Sequence, residues 1–198
     1  WTADWGDLGD PTESDADAVP LSTSGNSTEE QPFDLVFHAH FVAAKGADWM
    51  LEVARRLPDA RVLFPTPCPT RVVDPPRNVV FHPMTWERGL KDAVRTARIV
   101  CVPSLWSATI EGGLIKSLAF SRAVARINVP SGQGDELPAG LVLNLPQNAN
   151  DAAPRLAEAL ANNWAPDAHL KAEWIAEFRH ENGQILKNIT SAIKKYVT

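Results

Sequence analysis

Between residues 33 and 143 the chain alternates short runs rich in apolar residues with longer amphipathic ones, and few folds accept that rhythm. Strand-like runs lie at 34–38 (DLVFH), 61–64, 78–81, 98–102 (RIVCV), 123–127 and 140–143. Helical periodicity occupies 46–57, where Trp49, Leu51, Val53 and Ala54 are among the apolar positions and Pro58 ends the pattern. It returns over 86–97, with Leu90 and Val94, and over 110–120. The last third reads as two helices, 151–162 and 167–196, the second with Gly183 as a potential break. Strands alternating with helices predict a parallel sheet covered on both faces, and nearly unbroken apolar strands such as RIVCV belong inside one. The fold class is therefore α/β, a Rossmann-like doubly wound sheet.

In such sheets ligands sit beyond the carboxyl ends of the strands. That rule nominates residues 38–44, 64–70, 82–85, 103–109 and 128–134 before any motif is considered. The domain around them is expected to span 33–198. Residues 1–32 are rich in Asp, Ser, Thr, Gly and Pro without apolar periodicity, and read as an acidic flexible linker or tail.

Charge is divided unevenly. The net charge is −5, yet residues 1–44 hold nine acids and no Lys or Arg; removing nine of the 24 acids leaves 15 against 19 basic residues, a balance of +4. A mildly basic body favours an anionic ligand such as a nucleoside diphosphate. No basic run interleaved with aromatics points to nucleic acid, and no apolar run has the length of a membrane span. The two cysteines, Cys68 and Cys101, form neither a metal spacing nor a disulfide framework and suit a reducing cytoplasm. A start at Trp1 rather than Met reads as a piece cut from a longer protein.

Two segments carry candidate chemistry. Lys45-Gly46 follows the first strand at the start of a helix, where an ammonium beside free backbone N–H groups favours phosphate. His38 and His40 stand two residues apart, and His38 reads as a strand-end histidine with its hydrogen bond satisfied. The pair offers no third metal ligand. The second segment runs from Pro103, which stops a strand, through Ser104 and Ser107 with their hydroxyls, to Thr109, an expected helix cap. Gly112 and Gly113 cost a first helical turn roughly 1 kcal/mol each, so something approaches the backbone closely, either a ligand or a neighbouring strand. Lys116 lies one turn beyond Gly112, which points to an anion pocket. Glu111 is the sole carboxylate of the loop and sits where a helix dipole favours one.

Lys45-Gly46 together with residues 103–119 (PSLWSATIEGGLIKSLA) resembles the donor-binding half of GT-B glycosyltransferases, in the retaining group with a KG signature and a PSxW…E…EA loop. The likeness runs over about residues 34–196. It implies that Lys45 and Gly46 belong to a diphosphate clamp, with His40 at the position of the family's arginine and Ala39 at that of its glycine. Aligned without gaps, the family's two glutamates, one beside the donor sugar and one on the ribose hydroxyls, fall on Ala108 and Lys116. Glu111 serves as the catalytic-side carboxylate only if three residues are deleted. NVVFHPMTW at 78–86 resembles the segment whose backbone frames the nucleotide base, with Pro83 in place of glycine.

The resemblance implies transfer of a hexose from a nucleoside diphosphate sugar to a saccharide or lipid-linked acceptor, as in polysaccharide biosynthesis. It implies no cofactor and no essential metal, a cytoplasmic location with peripheral attachment to the inner membrane face as an extension, and a missing N-terminal acceptor domain. This chain alone is then expected to be inactive. Glu111 stands as the catalytic candidate, and His40, Lys45, Gly46, Ser104, Ser107, Gly112, Gly113 and Lys116 as donor-binding candidates. The alternative is a non-catalytic glycosyltransferase-like module that binds a nucleotide, a glycan or a partner protein.

Overall fold

The computed structural model describes residues 33–106, 111–129 and 136–197. Six strands, β1 (Leu35–Phe37), β2 (Val62–Phe64), β3 (Val79–Phe81), β4 (Ile99–Val102), β5 (Val124–Ile127) and β6 (Leu143–Leu145), form one sheet in the order β3-β2-β1-β4-β5-β6. Every pairing is parallel. The helices are α1 (Ala47–Arg56), α2 (Leu90–Thr96), α3 (Gly112–Phe120), α4 (Ala149–Ala161) and α5 (Ala168–Val197). The compact body is Pro32–Glu177. Residues 178–197 continue α5 as a separate unit, on which Ile185, Ile189 and Ile193 are exposed.

Alternation along each strand assigns its side chains to one of two cores. Leu35, Phe37, Val62, Phe64, Ile99, Cys101, Ala125 and Ile127 pack with α1 and α4; Val36, Leu63, Val100, Val102 and Val124 pack with α2, α3 and Trp174 of α5. Such two-sided burial explains why the strands carry so few polar residues. Asp34, just before β1, ties the amino ends of three strands together. Its carboxylate accepts from the Arg61 N–H at 2.8 Å and from the Arg98 guanidinium at 2.9 Å.

Most elements lie within a few residues of their expected places, and the departures have local causes. The second helix begins at Leu90 rather than Trp86, because Gly89 adopts φ 90° as its N-cap and residues 85–89 form a turn instead. The last strand is Leu143–Leu145, not 140–143: Gly140, at φ 86°, belongs to the turn that precedes it. Helix α5 continues through Gly183 without a break. The N-cap of α3 is Glu111; Thr109, the expected cap, lies outside the described residues, as does the region 1–32.

The order in which strands are added reverses between β1 and β4, since β1 pairs with β2 on one side and β4 on the other. In open α/β sheets, neighbours whose chains leave toward different helices frame a crevice at their carboxyl ends. Phe41 anchors the exit from β1 by packing on Phe37, Phe64 and Phe81. Beyond it, a short 3-10 helix (Ala43–Lys45) leads into Gly46, which sits at φ 75° and caps α1. A Cβ at Gly46 would overlap the Pro103 carbonyl at the end of β4. Gly46→Ala is expected to destabilise the domain by more than about 2 kcal/mol, through left-handed strain and backbone displacement together; urea unfolding monitored by fluorescence measures this.

Candidate functional site

The loops after β1 and β4 meet in the crevice. The Leu105 N–H donates to the Ala44 carbonyl at 2.9 Å, which fastens one loop to the other. Lys45 Nζ and Glu111 Oε2 form an ion pair across them, with side chains 22% and 12% exposed. Two charges this far withdrawn from water cost solvation, so each depends on the other for compensation. Glu111 is the N-cap residue of α3, without a side-chain cap hydrogen bond, at the helix end where the dipole favours an acid.

The two glycines of α3 serve different ends. A Cβ at Gly113 would come within 2.7 Å of the His38 carbonyl, so its absence lets the helix start lie against the end of β1. Gly112 has nothing within 4 Å of its Cβ position and is exposed. The close neighbour expected from these glycines is therefore a strand at Gly113, while Gly112 faces open space. Gly113→Ala should cost about 1–3 kcal/mol through the forced backbone shift, whereas Gly112→Ala should be neutral or stabilising by up to about 1 kcal/mol. Paired denaturation curves separate the two.

His38, directly after β1, is 8% exposed. Its Nδ1 lies 2.8 Å from Ser117 Oγ, and its ring stacks on Trp86 with centroids 5.5 Å apart and planes 9° from parallel. Lys116 Nζ stands 4.8 Å over the Trp86 ring, a cation–π contact. Burial first, and the Lys116 charge second, push the His38 pKa down to about 4. The imidazole is consequently neutral in the folded protein at pH 7.

The remaining candidates are placed as follows. His40 is exposed at the exit from β1, and its carbonyl accepts from Val42 N–H at 2.8 Å. Ser104 Oγ is sealed from solvent without a partner. Ser107 lies outside the described residues, as do residues 131–134 of the loop after β5. The structure thus brings Lys45, Gly46, Glu111 and Gly113 together and directs Lys116 onto Trp86. Among the described residues, no three His, Cys, Asp or Glu side chains gather as a metal site, and no helix is long and apolar enough to cross a membrane.

Sequence reasoning undervalued His38 and did not single out Ser117 or Trp86. His38 carried a usable signal, as the first polar residue after a buried strand; Trp86 carried none, because its contact with His38 spans 48 residues of sequence.

No family model and no curated protein matches the sequence. Among solved structures the chain is similar to sucrose-phosphate synthase from Thermosynechococcus elongatus, with TM-score 0.60, 19% identity, and coverage of 82% of this chain and 46% of that one. It is also similar to TarM, with TM-score 0.56, 16% identity, and coverage of 86% and 37%. The same values hold for a TarM variant from S. aureus in complex with fondaparinux, α-GlcNAc-glycerol and UDP. These neighbours are GT-B glycosyltransferases, and the parallel six-stranded sheet with its helices matches them as an α/β Rossmann-like fold. The chain spans less than half the length of each.

The depressed His38 pKa sets a sign for pH dependence. An unfolded histidine titrates near 6.5 and the folded one near 4, so between these values the unfolded state binds more protons. Stability from this group is full above pH 6.5 and falls as pH drops toward 4, by roughly 3 kcal/mol in all. Urea titrations across pH 4–7 should show this loss in the wild type and less of it in His38→Phe.

Proposed function

We propose that this chain is the donor-binding half of a GT-B glycosyltransferase of the KG and PSxW type. The observation that carries the reading is the meeting of Lys45 with the α3 start at the carboxyl ends of β1 and β4. A nucleoside diphosphate bound there would present its phosphates to Lys45 Nζ and to the α3 N–H groups, displacing the Glu111 carboxylate from the lysine. Gly112, with open space before it, admits a phosphate close to the backbone. His40, Ser104 and Ser107 add hydrogen bonds, and Lys116 adds positive charge nearby. Glu111, once released, stands beside the transferred sugar.

On this reading the reaction moves a hexose to a saccharide or lipid-linked acceptor, as in polysaccharide biosynthesis. Cations and helix N-termini stabilise the departing diphosphate without an essential metal or cofactor. The acceptor would bind a further N-terminal domain in a parent protein, which would work in the cytoplasm or at the inner face of the membrane, and residues 33–198 alone would not turn over. The GT-B neighbours support the fold side of this reading, as does one of them having been solved with UDP.

A second reading is favoured by the state of the two cations. Lys45 is engaged by Glu111 and Lys116 lies over the Trp86 ring, so both cations already have a partner within the chain. A module that binds a nucleotide, glycan or partner protein without chemistry would tolerate this.

Calorimetric titration with UDP, GDP and ADP separates the readings. One nucleotide should bind, Lys45→Ala should weaken it about 10- to 100-fold through loss of a charge-assisted contact, and Glu111→Gln should tighten it by freeing the lysine. Tight binding unaffected by Lys45→Ala would remove the clamp from the proposal, and absence of binding by a folded sample would favour the second reading.

A further inference from the structure

His38 lies outside the clamp, yet its hydrogen bonding is set by geometry. Ser117 Oγ is 2.6 Å from the Gly113 carbonyl, a separation that requires a proton between the two oxygens. The hydroxyl has one proton to give, so toward His38, 2.8 Å away, it can only accept. His38 Nδ1 therefore carries the ring hydrogen. The ring is neutral, and Nε2 is left with a bare lone pair.

That lone pair has no partner among the described residues. β1 is covered on one face by α1 and α4 and on the other by α2 and α3, so whatever reaches Nε2 enters from the carboxyl edge of the sheet. Stacking on Trp86 and the hydrogen bond to Ser117 fix the ring in two directions, and Ser117 is itself fully buried on α3. The result is an oriented acceptor on a residue more than nine-tenths buried, at the strand end where the fold places ligands.

We propose that His38 Nε2 is a ligand-binding atom that accepts a hydrogen bond from a hydroxyl of the bound molecule, either the ribose or the donor sugar. The inference rests on the donor-binding reading above and adds a polar contact to it. An acceptor held in one tautomer discriminates for a hydroxyl and against an oxyanion, whose lone pairs would face its own. It is thus suited to the uncharged part of a nucleotide sugar, as Lys45 is to the charged part. Ser117 acts as the positioning residue.

Nitrogen-15 spectroscopy of labelled protein tests this. In the unliganded chain at pH 7, His38 should show a protonated Nδ1 and an unprotonated Nε2, and Ser117→Ala should mix the tautomers. A protonated Nε2 in the wild type overturns the proposal whatever binds. The sample is then titrated with UDP, GDP and ADP, and next with the sugar conjugate of the nucleotide that binds (UDP-glucose, GDP-mannose or ADP-glucose). The Nε2 resonance should move on binding while Nδ1 stays: movement with the nucleotide assigns the ribose, and movement only with the conjugate assigns the sugar. His38→Phe, which keeps a ring against Trp86, should weaken that ligand about fivefold, the worth of one neutral hydrogen bond. Binding seen at other resonances with Nε2 unmoved overturns the His38 proposal alone. No binding by any probe overturns the donor-binding reading and this inference with it.

Discussion

The carboxyl edge of this sheet depends on one close approach, that of Gly46 to the Pro103 carbonyl. β1 and β4 are neighbours in the sheet but are separated by more than 60 residues of chain, and their exits must cross within a side chain's width. Only a residue without Cβ, in the left-handed region, fits the turn. With that contact made, the loops are fastened by the Leu105–Ala44 hydrogen bond, and Lys45 comes within ion-pair reach of Glu111. A second close approach, Gly113 on the His38 carbonyl, holds the start of α3 against the same strand end. Together the two glycines bring two helix starts to one point.

Both lysines at that point have a partner within the chain. Glu111 compensates the half-withdrawn Lys45, and Trp86 holds Lys116 through its ring face. A partly buried lysine without a counterion would bear a solvation cost, which the Glu111 carboxylate offsets. His38 adds the opposite element, a neutral ring in a place too dry for a charge, oriented by Ser117 and Trp86. The site therefore contains a charged half and an uncharged half, divided along the start of α3.

Much of this was legible in the sequence, and for identifiable reasons. Strands buried on both faces need uninterrupted apolar runs, so RIVCV announces β4 directly. Lys45-Gly46 and Gly112-Gly113 stand out because a cation at a helix start and glycines in a first turn each carry a local cost or charge. Boundaries set by turns were harder: Gly89 and Gly140 each displaced an element from its periodic pattern by adopting positive φ. Gly183, which by composition threatened a break, is absorbed into α5, since a lone glycine costs a long helix only about 1 kcal/mol.

The sequence by itself determined the fold class, the order of elements and the positions of the strand ends. Those properties follow from hydrophobic periodicity and helix-end chemistry, which act over a few residues. Only the tertiary structure decided which residues share the crevice. Lys45 meets Glu111 across 66 positions, and His38 meets Ser117 across 79 and Trp86 across 48. These partnerships leave no local trace, because they are set by the sheet's order and by two backbone contacts that admit no Cβ. The tautomer of His38 is decided in the same way, by a hydroxyl whose only proton is committed to the Gly113 carbonyl.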